Sequence, residues 1–501
     1  MNNILDILAN GREGDLSSGT LDPKDIELLH KAMSAGDTTG AQTWGQTDLS
    51  AAPLKLESLE GTMKVLVATP RETPIWYKVS KRPVSNTVAE YLQLVSTGQH
   101  RYASTLEAEL PETTESVYRR KPQVVKFKGV VGGATLAAQL MATGGELQSI
   151  LQQEVRNRTL QMTQIQEYAL MFNDSRMIPE DYNGYFAQHE TENDKYASYN
   201  AYMNSEHVID ARGSILKVEH MFDATQTIRE NWGMASSIIT NPRVFTNFNL
   251  RYVDSMRMFP TPQHVRDGVY GNRVSELYAQ NADRGGLEMI QSNFFSKGEA
   301  KNYLSPNTQM KAPAAPASVT GTVVTSPFSK FTEAQDVIYA VVAINRFGES
   351  APTFVNGGAL ISVGIGQAVD FTVTPGTNSQ YPVTAYAVYA TEPNPVLPYN
   401  NEATKLYHLF DFSVRMLSEG YDGAPANQAR ENGRFMANTD RAWVTTWDGD
   451  QIFGISQVMP IAKMNLAVTN PANRFMILSY LTPQLYQPLK TVVINNLGKK
   501  L

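Results

Sequence analysis

The chain has 501 residues, enough for about three structural units and more than one sizeable core. Hydrophobic residues make up 42% and charged residues 18%, which excludes a disordered or collagen-like chain. The 43 basic and 49 acidic side chains leave a formal charge of -6, which disfavours a dedicated nucleic-acid binder, and the absence of cysteine removes disulfides, thiolate zinc sites, iron–sulfur clusters and cysteine nucleophiles.

Residues 1–60 mix short apolar stretches with Gly, Ser, Thr and Asp, and one capped helix is expected after Asp22-Pro23. This segment reads as an arm. Its start lacks a charged region followed by a long apolar core, so no export signal is expected, and nowhere do about 18 consecutive apolar residues occur that would span a membrane. The expectation is a soluble protein made in a cytoplasm. Over 62–79, Met63, Val65, Val67, Ile75, Tyr77 and Val79 predict strands broken near Pro70 and Pro74. A further strand is predicted over 124–131, where Val125 and Phe127 alternate with Lys126 and Lys128. The excursion between, 80–122, has little apolar periodicity after Val95 but segregates charge. Glu107, Glu109, Glu112 and Glu115 form one block, and Arg119, Arg120 and Lys121 the next. Such an excursion is either a solvated loop or an arm whose two signs seek complementary patches on neighbouring copies.

The longest helical signal runs over 146–172, between Gly144-Gly145 and Asn173-Asp174. Leu147, Leu151, Val155, Met162, Ile165, Ala169 and Phe172 recur at helical spacing and place one stripe against a core. Residues 174–310 are mixed, with a shorter helical patch over 274–279. Then Ala312-Pro313-Ala314-Ala315-Pro316-Ala317 predicts a stiff, extended linker. Short strand runs follow at 319–324, 337–344, 359–363, 369–374, 385–390 and 406–412, separated by turn clusters; Val369, Phe371 and Val373 alternate with Asp370, Thr372 and Thr374. Short strands without helix are the signature of a β-sandwich over 312–415. The segment from Val337 to Asn345, followed by Phe347-Gly348-Glu349-Ser350-Ala351-Pro352, is similar to a strand and turn common in immunoglobulin-like and fibronectin type III modules. Residues 416–440 read as a Gly- and Asn-rich loop, and strands resume at 442–446, 462–468, 475–481 and 491–494. The sequence therefore reads α+β, with a β-module interrupting one larger domain.

The search for chemistry is mostly negative. His30, His100, His189, His207, His220, His264 and His408 are scattered, with no metalloprotease spacing and no His-x-His. No Gly-x-Ser-x-Gly elbow or phosphate-binding Gly-Lys loop occurs, and Gly364-Ile365-Gly366 reads as a turn between strands. Asp448 and Asp450 form the best carboxylate pair, which could serve a hydrolase with a divalent ion, although Asp-Gly is ordinary turn chemistry. Glu180, Asp181, Glu190, Glu192 and Asp194 read as solvated loop charges. No catalytic, cofactor-binding or metal residue is assigned, and the chain is not expected to be an enzyme.

The order of elements resembles the major capsid protein of tailed bacteriophages, the Hong Kong 97-type capsid fold. The helix 146–172 looks like that family's spine helix, and 62–131 like its extended loop with flanking strands. The run from Arg474 to Pro483, followed by Pro488 to Gly498, is similar to the closing strands of many such subunits. The resemblance implies an N-terminal arm (1–60), a core with peripheral and axial domains (61–311 and 416–501) carrying the extended loop at about 80–122, and an inserted immunoglobulin-like sandwich (312–415) projecting outward. It implies self-assembly into hexamers and pentamers of an icosahedral shell around the phage DNA, held without sequence-specific binding. It also implies other virion proteins such as portal, decoration or scaffolding proteins as partners, and assembly in the host bacterial cytoplasm. The departures are the length of 174–310 and the lack of an obvious cleavage site after the arm. A tail component or adhesin using the sandwich to hold glycans is the alternative.

Overall fold

The long helix runs Ile150–Phe172, about 34 Å at 1.5 Å per residue. It belongs to a computed structural model that describes residues 73–98, 107, 115–135, 150–192, 198–252, 276–278, 281–283, 286–295, 301–302, 311–377, 380–395, 405–447, 451–467 and 471–498. All of these fall within one unit, Leu66–Thr143 with Gln148–Leu501. The arm expected over 1–60 and the helix start expected at 146 lie outside the described residues. The buried face of the helix departs from the predicted stripe. Met162, Ala169 and Phe172 are buried, whereas Ile165 is 37% exposed and Gln166 and Glu167 are buried instead.

Before this helix stand a short helix, Pro74–Lys78, and strands β1 (Lys81–Pro83), β2 (Val88–Ser96), β3 (Val117–Val124) and β4 (Lys126–Thr135). The strand expected through Ile75, Tyr77 and Val79 is a helical turn. Pro74 is preset for a first helical position, and the Glu167 carboxylate accepts the otherwise free N–H groups of Ile75 and Trp76 at 3.2 and 2.7 Å. After the long helix come helices Tyr185–Thr191 and Tyr199–Met203, β5 (Val208–Asp210) and helix Val218–Glu230. Next are β6 (Ser237–Thr240), helix Pro242–Tyr252, β7 (Glu276–Tyr278), β8 (Gly286–Gln291) and β9 (Lys301–Asn302). β7 replaces the predicted helical patch because it pairs antiparallel with β8 at a sheet edge, and such pairing overrides a weak local preference.

The next region holds β10 (Ser318–Thr325), β11 (Gln335–Val337), β12 (Tyr339–Asn345), β13 (Gly348–Glu349) and β14 (Thr353–Phe354). It continues with β15 (Ile361–Val363), β16 (Gln367–Thr374), β17 (Ala385–Ala390) and β18 (Lys405–Ser413). Helix Val414–Glu419, β19 (Gln428–Glu431), β20 (Asp440–Thr445), β21 (Phe453–Asn465), β22 (Ala472–Leu485) and β23 (Val492–Leu497) complete the chain.

One sheet has the order β1-β21-β22-β4, and a second the order β5-β23-β20-β6-β8-β7. The period of two along β20 shows how the second is buried on both faces. Trp443 enters a core shared with Tyr185, Phe453, Leu481 and the C-terminal part of the long helix, while Ala442 and Val444 enter one shared with helices Val218–Glu230 and Pro242–Tyr252. Each such large apolar side chain contributes about 1.5–3 kcal/mol through its burial.

In the 311–435 region, β10-β16-β19 form one sheet and β13-β12-β17-β18 another, with β9 from before the region at its edge, and the apolar residues of the two sheets within the region share one core. β19 lies beyond residue 415, so the pairing extends past the boundary expected there, and the loop expected over 416–440 contains the end of a helix and this strand. Arg430 of β19 lies opposite Asp370 of β16 and clasps it at 2.6 and 2.7 Å, which is why Asp370 is buried although its strand pattern predicted an outward position. Residues 312–317 are not a free spacer. Pro313 and Pro316 are buried, and the Pro316 carbonyl accepts from the Thr353 hydroxyl at 2.9 Å.

Candidate assembly surface

β2 and β3 form an antiparallel ribbon, with Val88 opposite Val124, Leu92 opposite Arg120 and Leu94 opposite Tyr118. A two-stranded ribbon is marginal by itself, and this one is held at its base through its inner face. Ala89, Lys121 and Gln123 are buried there. Gln484 Nε2 donates to the Ala89 carbonyl at 3.1 Å, and Tyr91 Oη donates to the Leu485 carbonyl at 3.0 Å. Burial, with Glu192 nearby, raises the Tyr91 hydroxyl above the ordinary tyrosine range. Lys121 Nζ reaches both the carbonyl of Glu192 at 2.9 Å and its carboxylate at 2.8 Å. The outer face has no such cover. Leu92 is 65% exposed and Tyr118 60%, and Val88, Leu94 and Val124 are exposed with them.

The charge blocks seen in the sequence thus divide by strand geometry. Lys121 belongs to an internal ion pair and is not a patch for a neighbour, which corrects the expectation for the basic block. Arg120 is exposed and pairs across the ribbon with Glu90 at 3.4 Å, a contact of small energetic weight. Of the acidic block, Glu107 and Glu115 are exposed, while Glu109 and Glu112 lie outside the described residues.

Further buried polar contacts tie the helix Pro74–Lys78 to the long helix, and β4 to the segment that follows the long helix. Glu167 accepts from Ile75, Trp76 and, at 2.9 Å, the Ser292 hydroxyl; burial nevertheless pushes its carboxyl up to about 7. Lys128, at the start of β4, contacts Asp181 at 2.7 Å, and burial lowers its ammonium against that attraction. Arg176 bridges Asp174 and Glu190 at 2.6 and 2.8 Å. Asp181, Glu190 and Glu192, expected as solvated loop charges, are therefore members of ion pairs, and Glu180 lies 3.8 Å from Arg346. Asp194 lies outside the described residues.

The four described histidines take part in hydrogen bonds within the fold. His189 Nε2 donates to the Thr491 carbonyl at 3.1 Å and its Nδ1 accepts from Tyr202 Oη at 2.6 Å; burial lowers it to about 4. His207 is fully buried, 3.3 Å from the same carbonyl, and His220 is bonded to the Lys217 N–H at the start of its helix. His408 pairs with Asp411 at 2.6 Å. His30, His100, His264, Asp448 and Asp450 lie outside the described residues. Among the described residues no group of three or more His, Asp or Glu side chains is placed to hold a metal ion. Gly364-Ile365-Gly366 forms the turn between β15 and β16, with Gly366 at φ 75°.

No family model matches the chain. It is 22% identical to proteins named major capsid protein from Staphylococcus phage S25-3 and Staphylococcus phage K, over 476 residues that cover 91% of this chain and 93% of each relative. Among solved structures it is similar to the capsid of a native GTA particle (TM-score 0.41, 8% identity, 91% of this chain and 99% of that one). It is also similar to the holo-SrpI encapsulin complex of Synechococcus elongatus PCC 7942 (TM-score 0.40, 8% identity, 91% and 96%). The tail-component and adhesin alternative is not favoured. Matched almost end to end to major capsid proteins of staphylococcal phages, the chain is a structural capsid subunit.

Proposed function

We propose that the chain is the major subunit of a tailed-phage shell of the Hong Kong 97 type, assembling into hexamers and pentamers that enclose the genome in the virion. The observation that carries this reading is the ribbon β2–β3, anchored by polar contacts on one face and, on the other, exposing Val88, Leu92, Leu94, Tyr118 and Val124 beside the Arg120–Glu90 pair. Such a surface gains from burial only when another molecule covers it, and in a closed shell many weak contacts of this kind act together. The net charge of -6 suits a container whose inner face holds DNA without gripping it. In this reading the strands over 312–415, continued by β19, form the inserted immunoglobulin-like sandwich. The arm 1–60 and virion partners such as portal, scaffolding or decoration proteins complete the assembly, which takes place in the host cytoplasm. No catalytic role is assigned.

The test is to express the chain alone and examine it by electron microscopy and sedimentation, beside the double variant Leu92→Asp, Leu94→Asp. Shells or capsomers are expected from the native chain and folded, unassembled subunits from the variant. A native chain that stays monomeric at high concentration refutes the capsid reading. Unchanged shell yield from the variant removes the ribbon from it.

A further inference from the structure

Trp232 is 90% exposed, more than any other large hydrophobic side chain among the described residues. It stands just beyond helix Val218–Glu230, whose end is closed by two backbone bonds. The Trp232 N–H donates to the Arg229 carbonyl at 3.1 Å, and the Gly233 N–H to the Ile228 carbonyl at 2.9 Å. This double closure requires a left-handed residue at the position that Trp232 fills, where glycine is the usual occupant. Trp232 adopts it at φ 63°. The glycine that follows serves a different need: a Cβ at Gly233 would stand 2.6 Å from Ile228 Cγ2 and 3.0 Å from the Ile228 carbonyl oxygen. The tight turn is thus packed from below and projects the indole outward. Among the described residues neither the strained backbone nor the bare ring brings any packing in return.

We propose that Trp232 is an anchor that inserts into a neighbouring copy of this chain during assembly. The inference rests on the capsid reading. In a shell every subunit presents the same turn, so the indole is covered throughout only by a partner as abundant as the chain itself, which another copy is. Large aromatic groups of this kind dominate the energetics of interfaces. Phe222 and Leu250, 39% and 58% exposed on the two helices that cover the six-stranded sheet, supply apolar surface for a head-to-tail contact, the kind that closes rings.

The test compares the native chain with Trp232→Gly and Trp232→Phe. Glycine relieves the turn, so Trp232→Gly is expected to melt at the same or a higher temperature than the native subunit, while the concentration needed for assembly rises at least tenfold. Trp232→Phe keeps a ring and is expected to restore part of the difference. Native shells are also expected to shield a tryptophan from acrylamide quenching that free subunits expose, with that shielding missing in Trp232→Phe. Assembly of Trp232→Gly at the native threshold overturns the proposal, and so does a Trp232 signal equally quenched in shells and free subunits, which would assign the indole to another virion protein. If the native chain forms no shells at all, the capsid reading fails first, and the two failures are told apart.

Discussion

Protonating His189 should unlock the junction between the helix Tyr185–Thr191 and β23. The imidazole is fully buried, and its hydrogen bonds specify the neutral form: Nε2–H points at the Thr491 carbonyl and bare Nδ1 receives the Tyr202 hydroxyl. His207 approaches the same carbonyl, with ring centres 6.3 Å apart, so a charge on either ring opposes a charge on the other. Folding lowers His189 from 6.5 to about 4, and at 1.36 kcal/mol per pH unit this makes about 3 kcal/mol of stability depend on pH. Because the folded pKa is the lower one, that stability is fully present above pH 6.5 and is lost as pH falls through 4. The assay is urea unfolding of unassembled subunits from pH 7.5 to 4, comparing the native chain with His189→Gln, whose amide can donate to Thr491 and accept from Tyr202. The variant should lose about 3 kcal/mol less over that range. Equal losses in both would refute the assignment of His189 as a buried neutral group.

Glu167 should give the opposite slope. Its folded pKa is raised from 4.5 to about 7, so its contribution is greatest below pH 4.5 and falls as pH rises through 7. Glu167→Gln should flatten that part of the stability curve by about 3 kcal/mol, and an unchanged slope between pH 5 and 8 would count against it. Lys121→Glu, which places two carboxylates together at the ribbon base, should destabilise the subunit by about 3 kcal/mol in denaturant titrations. Arg120→Glu, on the exposed face, should change stability by less than about 0.5 kcal/mol. Equal effects from the two would show that the inner and outer faces are assigned wrongly.

Patterns that depend on regular burial were legible in the sequence. The end of the long helix at Phe172, the alternation of Val369, Phe371 and Val373, and the closing strands follow from apolar spacing that the fold uses directly. Polar residues that bury themselves through specific partners were not. Glu167, between Ile165 and Ala169 on an amphipathic helix, reads as a solvated charge until the N–H groups of Ile75 and Trp76, more than ninety positions away, come to its carboxylate. The same bond turns 74–78 into helix where the local residues favour a strand. The division of Arg119, Arg120 and Lys121 was available in principle, because alternate strand residues face opposite sides, but it required knowing that the segment pairs as a ribbon.

The buried polar groups also explain how a protruding element can be aimed. Lys121 joins the ribbon to Glu192, one residue beyond the helix Tyr185–Thr191; His189 joins that helix to Thr491 beside β23; Glu167 joins the long helix to 74–76 and to Ser292 after β8. Apolar packing alone would hold these elements together while tolerating small slides between them, whereas charged and hydrogen-bonded groups out of water impose one geometry or incur a heavy desolvation cost. In the proposed shell the ribbon would meet its neighbours at a fixed angle, which needs that directionality. Two of these links, at His189 and Glu167, place weak points of the free subunit under the control of pH, with His189 failing on the acid side and Glu167 on the basic side, so the stability of the unassembled chain should peak between them.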